Sequence, residues 1–279
     1  MFRAYRAGAR AAAHRWPLIA VLWVVAVVFG AAFALAVAAW LSDALGESLA
    51  TRTLYRQLDP DVFVDLWYHH REGLRGLLVL AATLGGVHTA LWWWLDGVVI
   101  NALLRPAADR TGIWQQGLTV APAMALLYLV ATGVLALFST AVGGTAYALM
   151  RWTRSSPAAM IWYQIDAVAL VIWAIGVVFL VAVHDHARIR VCRTDQGALT
   201  AYRWAFRFVG RGAERAFPLA CTLQISALVL WVGYQWVGLR VLTTPALALN
   251  GSLVWGGTYL LVRLWVRVWF YAAQNELQT

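Results

Sequence analysis

Few side chains that could do chemistry fall inside or beside the apolar stretches of this 279-residue chain. Asp96 is an acid at one end of such a stretch, and Arg263 and Arg267 come at a similar depth when 1.5 Å is counted for each helical residue. An intramembrane pair between Asp96 and either Arg263 or Arg267 is therefore geometrically possible. Extension of these groups to lipid phosphates is the alternative, and the sequence slightly favours it. Because ionisable residues at membrane depth are costly, such a pair is a functional hypothesis by default.

His88 is the titratable group expected near mid-membrane, in the segment Leu84-Gly-Gly-Val-His88-Thr. A haem with two histidine ligands would need a second histidine at the same depth, and no other span offers one. A haem or pigment with one protein ligand is compatible with the sequence, and a hydrogen-bonded packing histidine is the alternative. We predict no cofactor for the chain and keep His88 as the one candidate ligand.

Four potential metal ligands share one face of a predicted helix in the external loop: Asp61, Asp65, His69 and Glu72. Carboxylates and imidazole can bind a divalent ion. One helix alone rarely completes a site, so Asp65, His69 and Glu72 are weak candidates and we predict no metal centre. The segment His184-Asp-His186 is weaker still.

Enzyme signatures are missing from the sequence. There is no His-Glu-x-x-His pair, no phosphate-binding loop and no Gly-x-Ser-x-Gly nucleophile turn. We therefore predict that the chain is not an enzyme and has no catalytic residues.

Six long apolar runs must position these groups, and each is long enough to cross a hydrocarbon core of about 30 Å as a helix. They comprise residues 17–41, 76–104, 117–150, 161–183, 217–239 and 245–271. Alternating ten-residue segments typical of a membrane barrel are absent. The predicted fold class is all-α, a polytopic transmembrane bundle of six spans that forms a single domain over residues 1–279.

The arginines give the predicted orientation, because all 22 positive charges are arginine and none is lysine. With a cytoplasmic N-terminus, 15 arginines flank the inner ends of the spans and 7 flank the outer ends. This bias predicts that both termini are cytoplasmic. Residues 42–75 are then an outer loop and residues 184–216 a basic cytoplasmic segment. The net charge of +9 is explained by lipid head groups, so we expect no nucleic-acid partner.

Two segments are predicted to be amphipathic helices at the membrane interface. Residues 1–16 have arginines at helical spacing, and in residues 196–211 the side chains of Arg203, Arg207 and Arg211 are four apart. Such helices lie in the head-group plane with the apolar side down. The alternative use of Arg203, Arg207 and Arg211 is docking of a cytoplasmic partner.

Small residues suggest close packing within the membrane. Five recur at four-residue spacing in the third span: Thr132, Ala136, Thr140, Gly144 and Ala148. Glycine pairs at residues 85–86, 143–144 and 256–257 either permit close packing or break helices, as in transporters.

Two stretches near the inner ends of spans carry a resemblance. They are Asp185-His-Ala-Arg188-Ile189 and Arg263-Leu-Trp-Val-Arg267 followed by Tyr271-Ala-Ala-Gln274. With them the C-terminal third resembles uncharacterised six-span bacterial membrane proteins. The resemblance implies a topology and no activity.

These observations predict a non-catalytic integral subunit or scaffold of a larger complex in the bacterial inner membrane. Its expected partners are membrane lipids and other membrane-protein subunits. A small permease or lipid-handling transporter is the first alternative, based on the glycine pairs and the Asp96 pair. A pigment- or haem-binding membrane protein that uses His88 is the second.

Overall fold

A computed structural model of the chain describes residues 2–46, 64, 67–105, 110–153, 160–194, 196–241 and 245–278. All regular structure in these residues is helical, which confirms the predicted all-α class. The helices are α1 Phe2–His14, α2 Trp16–Leu45, α3 Arg71–Leu104, α4 Arg110–Trp152, α5 Met160–Thr194, α6 Ala198–Arg211, α7 Ala213–Val241 and α8 Pro245–Leu277.

Five helices in the described part of the chain are long and apolar enough to cross a membrane: α2, α3, α4 from Thr111, α5, and α7 as far as Gly238. They support a multi-pass membrane protein. The sixth span, predicted over residues 245–271, and the cytoplasmic position of both termini stay predictions. Most of the predicted outer loop lies outside the described residues.

The chain divides into two compact units, one of residues 1–20 and 93–279 and the other of residues 21–92. In the first unit α1 packs against α8, α4 against α5, and α6 and α7 against α5. The second unit consists of the remaining parts of α2 and α3, where the Trp40 side chain packs over Gly73. The prediction of a single domain stays a prediction.

The tightly packed core of the first unit is confined to one end of its helices. Buried residues are continuous over 95–102 of α3 and nearly continuous over 182–192 of α5. Gly97 and Gly117 let α3 and α4 approach closely, because a Cβ on Gly97 would lie 3.1 Å from the Gly117 carbonyl oxygen. We call this end, which also includes the buried residues of α7 and α8, the cluster end.

Helix α1 packs its small residues against α8. Ala4, Gly8 and Ala12 are buried, and a Cβ on Gly8 would come within 2.7 Å of the Ala273 backbone nitrogen. The Trp269 indole donates a 2.8 Å hydrogen bond to the Tyr5 carbonyl oxygen. This face of the predicted interfacial helix therefore contacts protein, while its arginines at positions 3, 6 and 10 are exposed.

Helices α3, α4 and α8 run through their glycine pairs without a break. The alternative of broken, transporter-like helices at these pairs therefore has no support in the helical geometry. Helix α5 also continues to Thr194, eleven residues beyond the predicted end of its span at Val183. That extension brings most of residues 184–192 into the packed core, and their position on the cytoplasmic side stays a prediction.

Candidate functional site: a buried charge cluster

Asp96 lies at the centre of a buried polar site at the cluster end. It belongs to the buried C-terminal part of α3 and is only 2% exposed. Its Oδ2 atom accepts hydrogen bonds from Nη1 of Arg188 at 2.6 Å and from Nη2 of Arg267 at 3.0 Å. One carboxylate thus joins α3 to α5 and to α8.

Arg188 connects this carboxylate to a second one. Its other terminal nitrogen forms an ion pair with Asp185, one turn earlier on α5, and the guanidinium is 5% exposed. Gln274 of α8 donates a 3.2 Å hydrogen bond to the remaining oxygen of Asp185. Arg188 therefore bridges two buried carboxylates, as the planar fork of a guanidinium permits.

Two tyrosines complete the hydrogen bonding around Asp96. The Tyr128 hydroxyl of α4 donates to Asp96 and accepts from Arg188 at 2.7 Å and Arg267 at 2.9 Å. The Tyr271 hydroxyl of α8 accepts from Nε of Arg267 at 3.0 Å and lies 3.4 Å from Oδ1 of Asp96. Through Tyr128, α4 becomes the fourth helix held at the site.

The tyrosine rings also cover the guanidinium of Arg188. Its central carbon lies 5.3 Å from the centre of the Tyr128 ring and 4.9 Å from that of Tyr271. These distances fall within the range of cation–π contacts. We call the set of interacting side chains the charge cluster: Asp96, Tyr128, Asp185, Arg188, Arg267, Tyr271 and Gln274.

The charge cluster is electrically balanced, with two carboxylates facing two guanidinium groups. Because burial of a charge is costly, loss of one partner from such a set typically destabilises a protein by about 3–5 kcal/mol. Its charged groups pair with one another across three helices, and Tyr128 adds a fourth. The arrangement is therefore suited to fixing helices in one geometry.

Two histidines flank the charge cluster. The His184 ring packs edge-on against Tyr128 with centroids 4.9 Å apart, and neither of its buried nitrogens has a hydrogen-bond partner among the described residues. The His186 Nδ1 atom lies 2.8 Å from Nε2 of Gln278, and its ring packs against Phe208. In the described part of the chain, no group of three or more His, Cys, Asp or Glu side chains is arranged to hold a metal ion.

The structure separates the two arginines that were candidates for pairing with Asp96. Arg267 belongs to the charge cluster, whereas Arg263, one turn earlier on α8, is exposed. The spacing of four residues places both near one side of α8. Depth alone could not distinguish between them.

The other predicted site residues lie apart from the charge cluster. In the second unit, His88 is half-buried between Phe29 and Trp92, with ring centroids 5.2 and 5.6 Å away. This is the surrounding of a packing histidine. Glu72 forms an exposed ion pair with Arg75 at 2.7 Å.

The proposed metal ligands of the outer loop are only partly described. Asp61 and Asp65 lie outside the described residues, so their helical face with His69 and Glu72 stays a prediction.

Helix α6 exposes the arginines that were predicted to face head groups or a partner. Arg203, Arg207 and Arg211 are all exposed, and the opposite face, with Ala201 and Ala205 among its buried residues, packs mainly on α5. The buried face therefore contacts protein, and contact of the helix with lipid stays a prediction, since Leu199 and Phe206 are exposed.

One tyrosine of α6 differs from those of the charge cluster. Tyr202 is buried on α6, its hydroxyl has no hydrogen-bond partner among the described residues, and burial raises the pKa of this hydroxyl.

Sequence reasoning missed Arg188 as a partner of Asp96 and Asp185 as a partner of Arg188, and it missed both tyrosines. Arg188 was counted among the cytoplasmic arginines because the apolar run ends at Val183. The available signal was the spacing of three between Asp185 and Arg188, which puts opposite charges on one helix face. The stretches that carried the family resemblance contribute five of the seven residues of the charge cluster.

Comparison with known proteins leaves the site to be interpreted from its own geometry. No protein-family model, no curated protein and no solved structure matches this chain.

Proposed function

We propose that the chain is a non-catalytic integral subunit or scaffold of a larger complex in the bacterial inner membrane. The observation that carries this proposal is that the charged groups of the charge cluster pair with one another. Four charged side chains from three helices pair with one another, and two tyrosine hydroxyls add hydrogen bonds to them. Asp96, Asp185 and Arg188 are almost fully buried, which favours a structural role for them over transport or catalysis, while the Arg267 side chain is 35% exposed.

The exposed small residues of α4 support a role in assembly. Thr132, Ala136, Thr140, Gly144 and Ala148 are all exposed, and a Cβ on Gly144 would meet no described atom within 4 Å. Small residues let helix backbones approach closely in a membrane, where apolar burial does not drive association. These five residues, which we call the stripe, form a surface against which a helix of another subunit can pack.

The position of the stripe on α4 strengthens this argument. Phe138 contacts α5 at Gly176, and two residues further along a helix the side chain points about 200° away. Thr140 therefore lies on the face of α4 opposite α5. The helix can contact α5 and a second subunit at the same time.

The proposed orientation follows from the arginine distribution, with six spans and both termini in the cytoplasm. In that orientation the cluster end lies at the cytoplasmic boundary. The exposed arginines of α1 and α6 then face anionic head groups or an acidic cytoplasmic subunit.

Site-specific photo-crosslinking in intact membranes tests the proposal. A photoreactive residue at Ala136, on the stripe, should give a discrete adduct with another membrane protein. The same residue at Leu137, which is exposed but lies about 100° around the helix, is the matched control. We expect at least about a tenfold difference in adduct yield, which corresponds to a preference of about 1.4 kcal/mol.

Purification in mild detergent supplies the second measurement. The cross-linked protein should co-purify with the wild-type chain, and Ala136→Trp should reduce its recovery while Leu137→Trp should not. Equal adduct yields at the two positions, or a stable isolated monomer with no companion protein, would contradict the proposed role.

A further inference from the structure

An apolar groove separates α4 and α5 at the end of the helix pair opposite the charge cluster. Its volume is about 500 Å³. Six residues of each helix line it: Phe138, Ala141, Val142, Thr145, Ala146 and Leu149 of α4, and Ile161, Gln164, Ile165, Val168, Ala169 and Ile172 of α5. Both helices are among those able to cross a membrane, so hydrocarbon is the expected surrounding.

One end of the groove is closed by direct contacts between the helices. The Phe138 ring packs where a side chain on Gly176 would lie, and the Trp173 indole donates a 3.0 Å hydrogen bond to the Ser139 hydroxyl. Small side chains, such as that of Ala141, leave room along the α4 wall. Thr145 adds little polarity because its hydroxyl donates to the Ala141 carbonyl oxygen at 2.8 Å.

The dimensions of the groove limit what can fill it. From Phe138 to Leu149, and likewise from Ile161 to Ile172, the rise along the helix is about 16 Å. That length matches one leaflet, about half of a 30 Å hydrocarbon core. The groove is also open along one side, so whatever fills it remains in contact with the surrounding lipid.

The polar end of the groove lies where a lipid head group would begin. Gln164 is exposed and lines the groove near the start of α5. Trp162 and Tyr163 beside it are also exposed, and such aromatic residues mark the membrane–water boundary. Asp166, two residues further along α5, is exposed as well, so the boundary lies near residues 162–166 and the groove extends from there toward mid-membrane at Phe138.

We propose that this groove binds one acyl chain of a membrane phospholipid from the leaflet that surrounds the start of α5. The occupant is a lipid because the groove is lined almost entirely by apolar side chains, is about as long as one leaflet and opens to the hydrocarbon around α4 and α5. The site retains a lipid within the bundle, apart from the lipid that contacts exposed faces.

Photolabelling of the full chain in nanodiscs tests this proposal. The nanodiscs contain phosphatidylcholine doped with a phosphatidylcholine that has a diazirine in the middle of one acyl chain. After irradiation, peptide mapping should find adducts at Val142 and Val168 at least about fivefold above those at Leu170, a preference of about 1 kcal/mol. Leu170 is the matched position, since it is exposed on α5 at the same depth and does not line the groove.

A groove-filling variant provides a second measurement. Ala169→Trp should reduce labelling of Val142 about fivefold, because the indole occupies the space of the chain. Ala167→Trp, on an exposed face of the same helix, should leave it unchanged. Equal labelling of Val168 and Leu170 in the wild-type chain would overturn the proposal without reference to any variant. Undiminished labelling in a folded Ala169→Trp variant would overturn it as well.

Discussion

The helix pair α4 and α5 differs sharply between its two ends. At the cluster end Asp185 and Arg188 are only 6% and 5% exposed, although both are charged. At the groove end Leu149 and Val168 are 42% and 59% exposed, although both are apolar. At these positions α5 encloses charged side chains, whereas α4 and α5 leave apolar side chains exposed.

This pattern of buried charged residues and exposed apolar residues is expected if hydrocarbon surrounds the helices. In hydrocarbon an apolar side chain gains little by moving from lipid to protein, so nothing forces the helices to close around it. A charged group at that depth must find a partner or a route to water. The polar residues therefore determine where the helices are held together, and the apolar residues determine where they can separate.

Removal of the Arg188 guanidinium should cause the largest loss of stability at the cluster end. Arg188→Met leaves Asp96 and Asp185 buried without their shared partner, and we expect a loss of about 3–5 kcal/mol in the free energy of unfolding. Denaturant titration in mild detergent measures it. Arg203→Met removes an exposed arginine of α6 and should change stability by less than about 0.5 kcal/mol. Similar losses for the two variants would show that the charge cluster does not hold the helices.

A pair of truncations compares apolar packing at the two ends. Leu223→Ala, at a fully enclosed site beside Ala273, should cost about 2–5 kcal/mol because it leaves a cavity. Val168→Ala at the groove should cost less than about 1 kcal/mol, since lipid fills the space. The same denaturant titration measures both. Equal costs would mean that the groove end is packed as tightly as the cluster end.

Two tyrosines distinguish a paired hydroxyl from an unpaired one. Tyr128→Phe removes hydrogen bonds to charged groups and should cost about 1.5–3 kcal/mol. Tyr202→Phe removes a buried hydroxyl without a described partner and should be neutral or stabilising. Thermal unfolding of both variants in one detergent measures the difference. A destabilised Tyr202→Phe variant would reveal a partner for that hydroxyl.

The smallest expected effect concerns the contact of α1 with α8. Gly8→Ala places a methyl group against the backbone of Ala273 and should cost about 1–3 kcal/mol. Limited proteolysis within α1 should accelerate at the same time. Gly143→Ala, where the added methyl group meets no described atom within 4 Å, should leave stability and cleavage unchanged. Unaltered cleavage in the Gly8→Ala variant would place α1 outside the packed structure.

Sequence patterns predicted the helices better than their contacts. Apolar length was sufficient for the all-α class and for a helix around each of the six predicted spans, because it is a local property. Five of these helices in the described part of the chain are long and apolar enough to cross a membrane. Counting depth from Gly76 also placed Asp96 and Arg267 at comparable levels. It could not choose Arg267 over Arg263, since that choice depends on how α8 is rotated against α3.

The rest of the charge cluster depended on long-range packing. Residues 184–194 follow the apolar run and include several charged side chains, so composition assigned them to the cytoplasm. Most of them are buried because helices distant in sequence, among them α3, α6 and α8, pack around them. The groove was equally inaccessible to sequence reasoning. Its width depends on the Phe138–Gly176 contact between two helices.

The contact between Gly8 and Ala273 has a consequence for the order in which the helices pack during synthesis. The two contacting helices are the first and the last of those described, and the hydrogen bond beside that contact joins residues 264 positions apart. A chain emerging from the ribosome makes α1 long before α8, so α1 has no docking site until translation of the described region is nearly finished. Once α8 has been made, α1 can pack against it. In a nascent chain halted before Ala273, α1 would remain an unpacked, arginine-rich helix that quality-control proteases can reach.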